Sequence, residues 1–345
     1  MRILVLGGTA WLGRTFVQQA LAAGHDVVCA ARGSGVPDGA RSLVVDRDDE
    51  GALTDVAAEH WDAVLDVSRT PEHVRRAARD LGRATDRFLL VSTVSVYASH
   101  AGRQAAEDAP VLAPSDDPAE YGAAKVACEH AVLDAVGPER AVLARAGLIG
   151  GPGDHTGRSG HWPWRFARAA ETGGAVLVPA ADDGSPSTHP TSVVDVRDLA
   201  AWLLRQATAR DAAAASGPVN VTGEAVPLGA LLATARAVAL RATTAEHTAQ
   251  DGVPTVPVSD AWLAEHDVAP WSGPRSLPLW LPDADWQGLS DRSNARARAT
   301  GLTLRPLAET LADTLRWEAG RPEHPHGAGL TDVEHDALVS AARRR

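Results

Sequence analysis

Tyr121 and Lys125 stand four residues apart in Tyr121-Gly122-Ala123-Ala124-Lys125, at the start of a stretch that reads as a helix from about Glu120 to Val136. That spacing places both side chains on one helix face, one turn apart. A phenol with a pKa near ~10 is a poor base at neutral pH, but an ammonium within a few ångströms favours the phenolate and can lower its pKa by roughly one to three units. Tyr121 could then exchange a proton with a carbonyl or carbinol oxygen. Upstream, Val91-Ser92-Thr93-Val94-Ser95-Val96-Tyr97 carries three Ser/Thr hydroxyls at the end of an apolar run. Ser92 or Thr93 could hold the same oxygen. A Tyr–Lys pair at this spacing also arises by chance, as an exposed Lys beside a half-buried Tyr, so its place in the fold has to decide.

Such side chains need a frame. Ile3 to Gly7 has the apolar, β-favouring character of a strand buried on both faces, and Trp11 to Ala23 has helical apolar spacing. The turn between them reads Gly7-x-x-Ala10-x-x-Gly13. A strand-to-helix turn of this kind gathers backbone N–H groups and the positive end of a helix dipole where a pyrophosphate can sit. Its plainer reading is an ordinary turn. Ala10 stands where a glycine normally lets the backbone approach the pyrophosphate closely.

The next segments alternate. Asp26 to Ala31, Ser42 to Val45, Ala63 to Val67 and Arg87 to Val91 read as strands, while Glu50 to His60 and Pro71 to Leu81 read as helices. The pattern predicts an α/β fold, a Rossmann-type doubly wound parallel sheet with ligands at the carboxyl ends of its strands. At the second strand's end, Ala30-Ala31-Arg32 offers a guanidinium and no carboxylate. An arginine there can pair with a 2′-phosphate, so NADP(H) is preferred and NAD(H) stays open. Asp46 opens a polar run at the adenine edge. The expected cofactor contacts are Gly7, Thr9, Ala10, Trp11, Leu12, Gly13, Arg32, Asp46, Val67, Ser68, Tyr121 and Lys125.

Composition sets outer bounds. The formal net charge of −11, spread without long single-sign blocks, argues against nucleic acid or an anionic membrane as main partner. Cys29 and Cys128 give neither a disulfide framework nor metal-ligand spacing, which fits a reducing compartment. Asp154, His155 and His161 match no familiar site, so no metal is expected. With a strand at the very start and no apolar run of spanning length, the expected location is the cytoplasm.

The second half has another character. Eight of the ten Trp lie from Trp162 onward, and Trp262, Trp271, Trp280 and Trp286 alternate with prolines. They either pack a small proline-rich lobe or line a mouth admitting an apolar or aromatic substrate. Asp195 to Gln206, Leu228 to Ala239 and Pro306 to Glu318 read as helices and Val253 to Pro257 as a short strand. Thr331 is expected to cap a last helix ending at Arg345.

Together these landmarks resemble the extended short-chain dehydrogenase/reductases, the group that includes the NAD(P)-dependent epimerase/dehydratase-like proteins. The opening is similar to the Gly-Gly-Thr-x-x-Leu-Gly turn of some atypical members, and Val91 to Tyr97 to the family's Ser-Ser/Thr-x-x-Val-Tyr stretch. The resemblance implies Thr93 as the catalytic hydroxyl and Tyr121 with Lys125 as the catalytic pair, Lys125 also holding the nicotinamide ribose. Arg145 with Gly151-Pro152-Gly153, Val194 to Ala200, and Val219 to Gly223 are similar to later family segments. Two departures matter. Leu148 stands where nucleotide-sugar enzymes commonly carry an Asn, and Val94-Ser95 replace the Asp-Glu pair of sugar dehydratases, so neither a nucleotide sugar nor dehydration is expected.

The implied organisation is a dinucleotide-binding domain over residues 1–150, rejoined by 189–223. Residues 151–188 and 224–319 make a smaller, Trp/Pro-rich substrate-binding lobe, and 320–345 a terminal linker and helix. The expected activity is hydride transfer between a nicotinamide and a small-molecule carbonyl or alcohol, with Tyr121 as general acid/base. Epimerisation through transient oxidation is one alternative. A catalytically inactive NADP-binding sensor or scaffold protein is another. Relatives commonly form homodimers through two long helices, which is the assembly the resemblance implies.

Overall fold

Alternation along the inner strands decides the architecture. In β1 (Arg2–Leu6), Ile3 and Val5 face one layer, Leu4 and Leu6 the other, and all four are fully buried. A strand apolar on both faces must be covered on both. The computed structural model describes residues 1–33, 35–210, 214–242, 252–321 and 328–344. In it, β1 is joined by β2 (Asp26–Ala31), β3 (Arg41–Val44), β4 (Ala63–Asp66), β5 (Phe88–Thr93), β6 (Ala141–Ala146) and β7 (Gly217–Val221). The order across the sheet is β7-β6-β5-β4-β1-β2-β3, and every pairing is parallel. The doubly wound sheet is therefore present. Its order reverses at β1, between β4 and β2, which opens a crevice above their carboxyl ends.

The longer helices among the described residues are α1 (Trp11–Ala22), α2 (Pro71–Leu81), α3 (Tyr121–Val136), α4 (His161–Thr172), α5 (Val196–Thr208), α6 (Leu228–Ala242), α7 (Leu307–Ala319) and α8 (Asp332–Ala342). Phe16 and Val17 of α1 and Leu199 and Leu203 of α5 cover the Ile3/Val5 face. Val74 of α2 and Val132 of α3 cover the Leu4/Leu6 face. Local chemistry starts these helices: Pro71 opens α2, Asp195 accepts from Arg197 N to cap α5, and Thr331 with Glu334 forms a capping box on α8.

A second core joins α4, α6, α7 and α8 around the strand pair Val176–Ala180 and Thr255–Ser259. Trp162, Trp262 and Trp280 are buried in it. Trp271 packs against its edge, and Trp286 is half exposed and stacked on His100. Packing and lining are thus divided among the tryptophans.

Two expected elements differ. The helix expected over Glu50 to His60 shrinks to Thr54–Ala57, because Asp46 to Gly51 closes tight turns such as Asp49 N to Asp46 O (3.1 Å) in its place. The expected strand from Val253 moves to Thr255–Ser259, where it can pair with Val176–Ala180. Ser34, most of the linker after Gly320, and Arg345 lie outside the described residues. No helix among those described is long and apolar enough to cross a membrane.

Candidate active site

The carboxyl ends of β4, β5 and β6 and the starts of α1 and α3 meet at one cleft of about 430 Å³. Trp11, Val67, Thr93, Tyr121 and Lys125 all line it. A second depression of about 210 Å³ is lined by Gly7, Thr9, Arg32, Asp46, Val67 and Ser68. Val67 belongs to both, so the depression at the expected phosphate turn adjoins the cleft that holds the Tyr–Lys pair.

The phosphate turn is tight at its glycines and open at Ala10. Gly7 has φ +94°, and a Cβ on Gly13 would meet Gly7 O at 2.2 Å. Ala10 is different: at φ −71° it is in ordinary extended backbone, exposed, with its methyl free of the turn. No glycine is required there. As the N-cap of α1 it supplies no side-chain acceptor, and the first backbone bond of the helix is Arg14 N to Ala10 O (2.7 Å). The N–H groups of Trp11, Leu12 and Gly13 precede that bond and are left for a ligand. Leu12 offers only this N–H, since its side chain is in the core. Trp11 swings over the groove, its Nε1 donating to Pro152 O (2.8 Å).

At the adenine end Arg32 is exposed and 3.8 Å from Asp48. Its neighbour in this depression, Arg47, is committed, making a paired bond to buried Asp66 (2.8 and 2.7 Å) and another to His73 O. Asp46 is exposed and accepts from Asp48 N (3.1 Å).

Lys125 is buried, its Nζ donating to Ser68 O (2.8 Å) and Val91 O (2.6 Å). These bonds tie the loop after β4 to β5 and occupy two of the three ammonium donors. Burial pushes the ammonium pKa down, opposed by Cys128, Asp66 and Glu129. Thr93 Oγ1 caps the short turn after β5 through Ser95 N (3.1 Å), donates to Ser95 Oγ (3.2 Å), and lies near enough to the Tyr121 phenol to pull its pKa down. Ser92 points away, donating to Glu129 (2.5 Å). That leaves Thr93 as the hydroxyl at Tyr121.

The electrostatics of Tyr121 differ from the expectation of a lowered pKa. Burial raises the phenol pKa, while the Thr93 hydroxyl and the fields of Arg69 and Arg158 pull against it. Lys125 is not among the leading groups acting on it; its ammonium is held on the backbone carbonyls of Ser68 and Val91. Arg69 and Arg158 both line the cleft and were missed by the motif reading. Arg69 had a positional signal, lying just past the carboxyl end of β4; Arg158, in a Gly-rich irregular segment, had none.

Tyr97, Glu129, Arg145 and Asn220 form a buried polar network. Arg145 pairs with Glu129 (2.8 Å) and donates to Tyr97 OH (3.0 Å), and that phenol donates to Asn220 Oδ1 (2.6 Å). Three separate sequence landmarks, Tyr97, Arg145 and Asn220, thus meet in space. Asp154 is likewise consumed internally by Thr156 and Ser159. Among the described residues no group of three or more His, Cys, Asp or Glu could hold a metal ion.

The model of the NAD dependent epimerase/dehydratase family matches residues 3–83 and 66–222. The chain belongs to that family. A curated relative, the 2'-dehydrokanamycin reductase of Streptomyces kanamyceticus, is 32% identical over 219 residues, 61% of this chain. The match spans 60% of that relative's length. Among solved structures, UDP-N-acetylglucosamine 4-epimerase from Bacillus cereus shares 17% identity with a TM-score of 0.64, covering 94% of this chain and 99% of that one. The NAD complex of Thermus thermophilus UDP-glucose 4-epimerase shares 18% identity with a TM-score of 0.60, covering 93% and 99%. At these identities the likeness is one of fold.

Proposed function

We propose that the chain is a nicotinamide-dependent oxidoreductase that reduces a carbonyl of a small molecule, with Tyr121 as the general acid. The observation that carries this reading is the convergence of Thr93, Tyr121 and Lys125 on a cleft that adjoins, through Val67, the depression at the phosphate turn. The groove suits a dinucleotide because the α1 N–H groups are uncapped and Gly13 packs against Gly7 with no room for a side chain. When bound, the nicotinamide supplies the hydride. Tyr121 donates its proton to the carbonyl oxygen as that carbon is reduced, and its raised pKa keeps the phenol protonated beforehand. Thr93 holds the oxygen, and the remaining Lys125 donor is available to a ribose hydroxyl.

Arg32 and the missing carboxylate at the end of β2 support NADP(H) over NAD(H). Arg32→Ala should weaken NADPH binding by about 10-fold while leaving NADH nearly unchanged, as measured by fluorescence titration. The curated relative is named a reductase, which favours reduction over epimerisation. An epimerase keeps its cofactor through the cycle; stoichiometric NADP⁺ release with each turnover would separate the two. The intact Thr93, Tyr121 and Lys125 set counts against an inactive scaffold. The decisive variant is Tyr121→Phe, which should cut turnover by about 10²- to 10⁴-fold with NADPH affinity retained. Unchanged turnover would overturn the assignment.

A further inference from the structure

The charged side chains lining the cleft are Arg69, Lys125 and Arg158, with no carboxylate among the described residues. Lys125 is engaged by carbonyls. Arg69 sits on the loop after β4, on the side of the phosphate turn. Arg158 stands on the substrate side. It is half-buried, its Nε donates to Thr156 Oγ1 (3.3 Å), and among the described residues it forms no ion pair. The acid whose field reaches it, Asp154, already accepts four hydrogen bonds from Thr156 and Ser159. Its guanidinium lies 5.6 Å over the Trp271 ring. Trp271 is itself held at φ +70°, a left-handed conformation rare for a bulky residue, with its N–H donating to Trp280 O (3.1 Å).

A desolvated guanidinium with no acidic partner, backed by an aromatic face, is the chemistry that takes an oxyanion. We infer that Arg158, braced by Trp271, recognises an anionic group of the substrate, a carboxylate or a phosphate close to the carbonyl that Tyr121 serves. The inference rests on the oxidoreductase reading. It adds that the substrate is an anionic ketone or aldehyde. Thr156 orients the guanidinium, and the apolar wall of Leu148, Ile149 and Leu289 takes the rest of the molecule.

The test uses matched probes on the full chain loaded with NADP⁺: phenylpyruvate against its methyl ester, and dihydroxyacetone phosphate against dihydroxyacetone, each by calorimetric titration. One anion should bind about 10- to 150-fold more tightly than its neutral partner, the range for a hydrogen-bonded charge pair. Which pair shows the difference tells carboxylate from phosphate. Arg158→Met should erase the preference without changing the neutral probe, and Arg158→Lys should keep part of it. Anion and neutral probe binding alike, or neither binding detectably, would overturn the inference, as would a preference that survives Arg158→Met in a protein with unchanged melting. The cofactor titration comes first. Failure of NADP⁺ to bind would count against the oxidoreductase reading alone, and the same comparison on the cofactor-free protein would still decide the role of Arg158.

Discussion

The chain has two tyrosines, and their surroundings could hardly differ more. Tyr97 is 1% exposed, with its hydroxyl between Asn220 and Arg145 and guanidinium groups of Arg292 and Arg145 at 4.2 and 4.9 Å from its ring. Tyr121 is 45% exposed and opens on a cleft, with Thr93 as its hydroxyl neighbour. Burial raises both phenol pKa values, yet only one phenol has room for a reacting oxygen beside it. A polar group whose hydrogen bonds close within the chain stabilises the fold. One left facing open space is available for chemistry. Lys125 joins the two regions, buried like the first and bordering the second.

The largest expected effect is on the open side. Tyr121→Phe should lower the rate constant for carbonyl reduction by about 10²- to 10⁴-fold, the usual range for a general acid, with the melting temperature unchanged. A stable, active variant would erase the distinction between the tyrosines. On the closed side, Glu129→Gln leaves Arg145 buried without its counter-charge. It should cost about 3–5 kcal/mol of stability in denaturant titration. Tyr97→Phe removes a hydroxyl that bonds Asn220 and Arg145, and should cost about 1–3 kcal/mol while turnover per folded molecule is kept. A collapse of turnover in a folded Tyr97→Phe protein would mean the network reaches the chemistry. The smallest effect is at the phosphate turn: with Ala10 exposed and at φ −71°, Ala10→Gly should change NADPH affinity by less than about 3-fold, roughly the scale of one added backbone freedom.

Much of the frame was legible because it is local. The apolar strands, Pro71 at a helix start, Thr331 as a helix cap and the glycine turn of Gly7 and Gly13 all follow from rules acting over a few residues. The Tyr121–Lys125 spacing was legible for the same reason. The pKa effect drawn from it was not, since i,i+4 spacing fixes a shared face and leaves open where a flexible ammonium ends. Backbone carbonyls of Ser68 and Val91, distant in sequence, claimed it.

The sequence by itself determined the parallel α/β frame, the glycine turn and the Tyr121–Lys125 spacing, because periodicity and turn chemistry are written in neighbouring residues, while the hydroxyl partner stayed open between Ser92 and Thr93 until the family resemblance pointed to Thr93. Tertiary structure alone decided that Ser92 faces Glu129 while Thr93 meets Tyr121, that Trp262 and Trp280 pack while Trp271 lines, and that Arg69 and Arg158 charge the cleft. Each of those outcomes depends on which side chains from remote segments reach a shared space first, and burial and partner competition settle that only once the chain is folded.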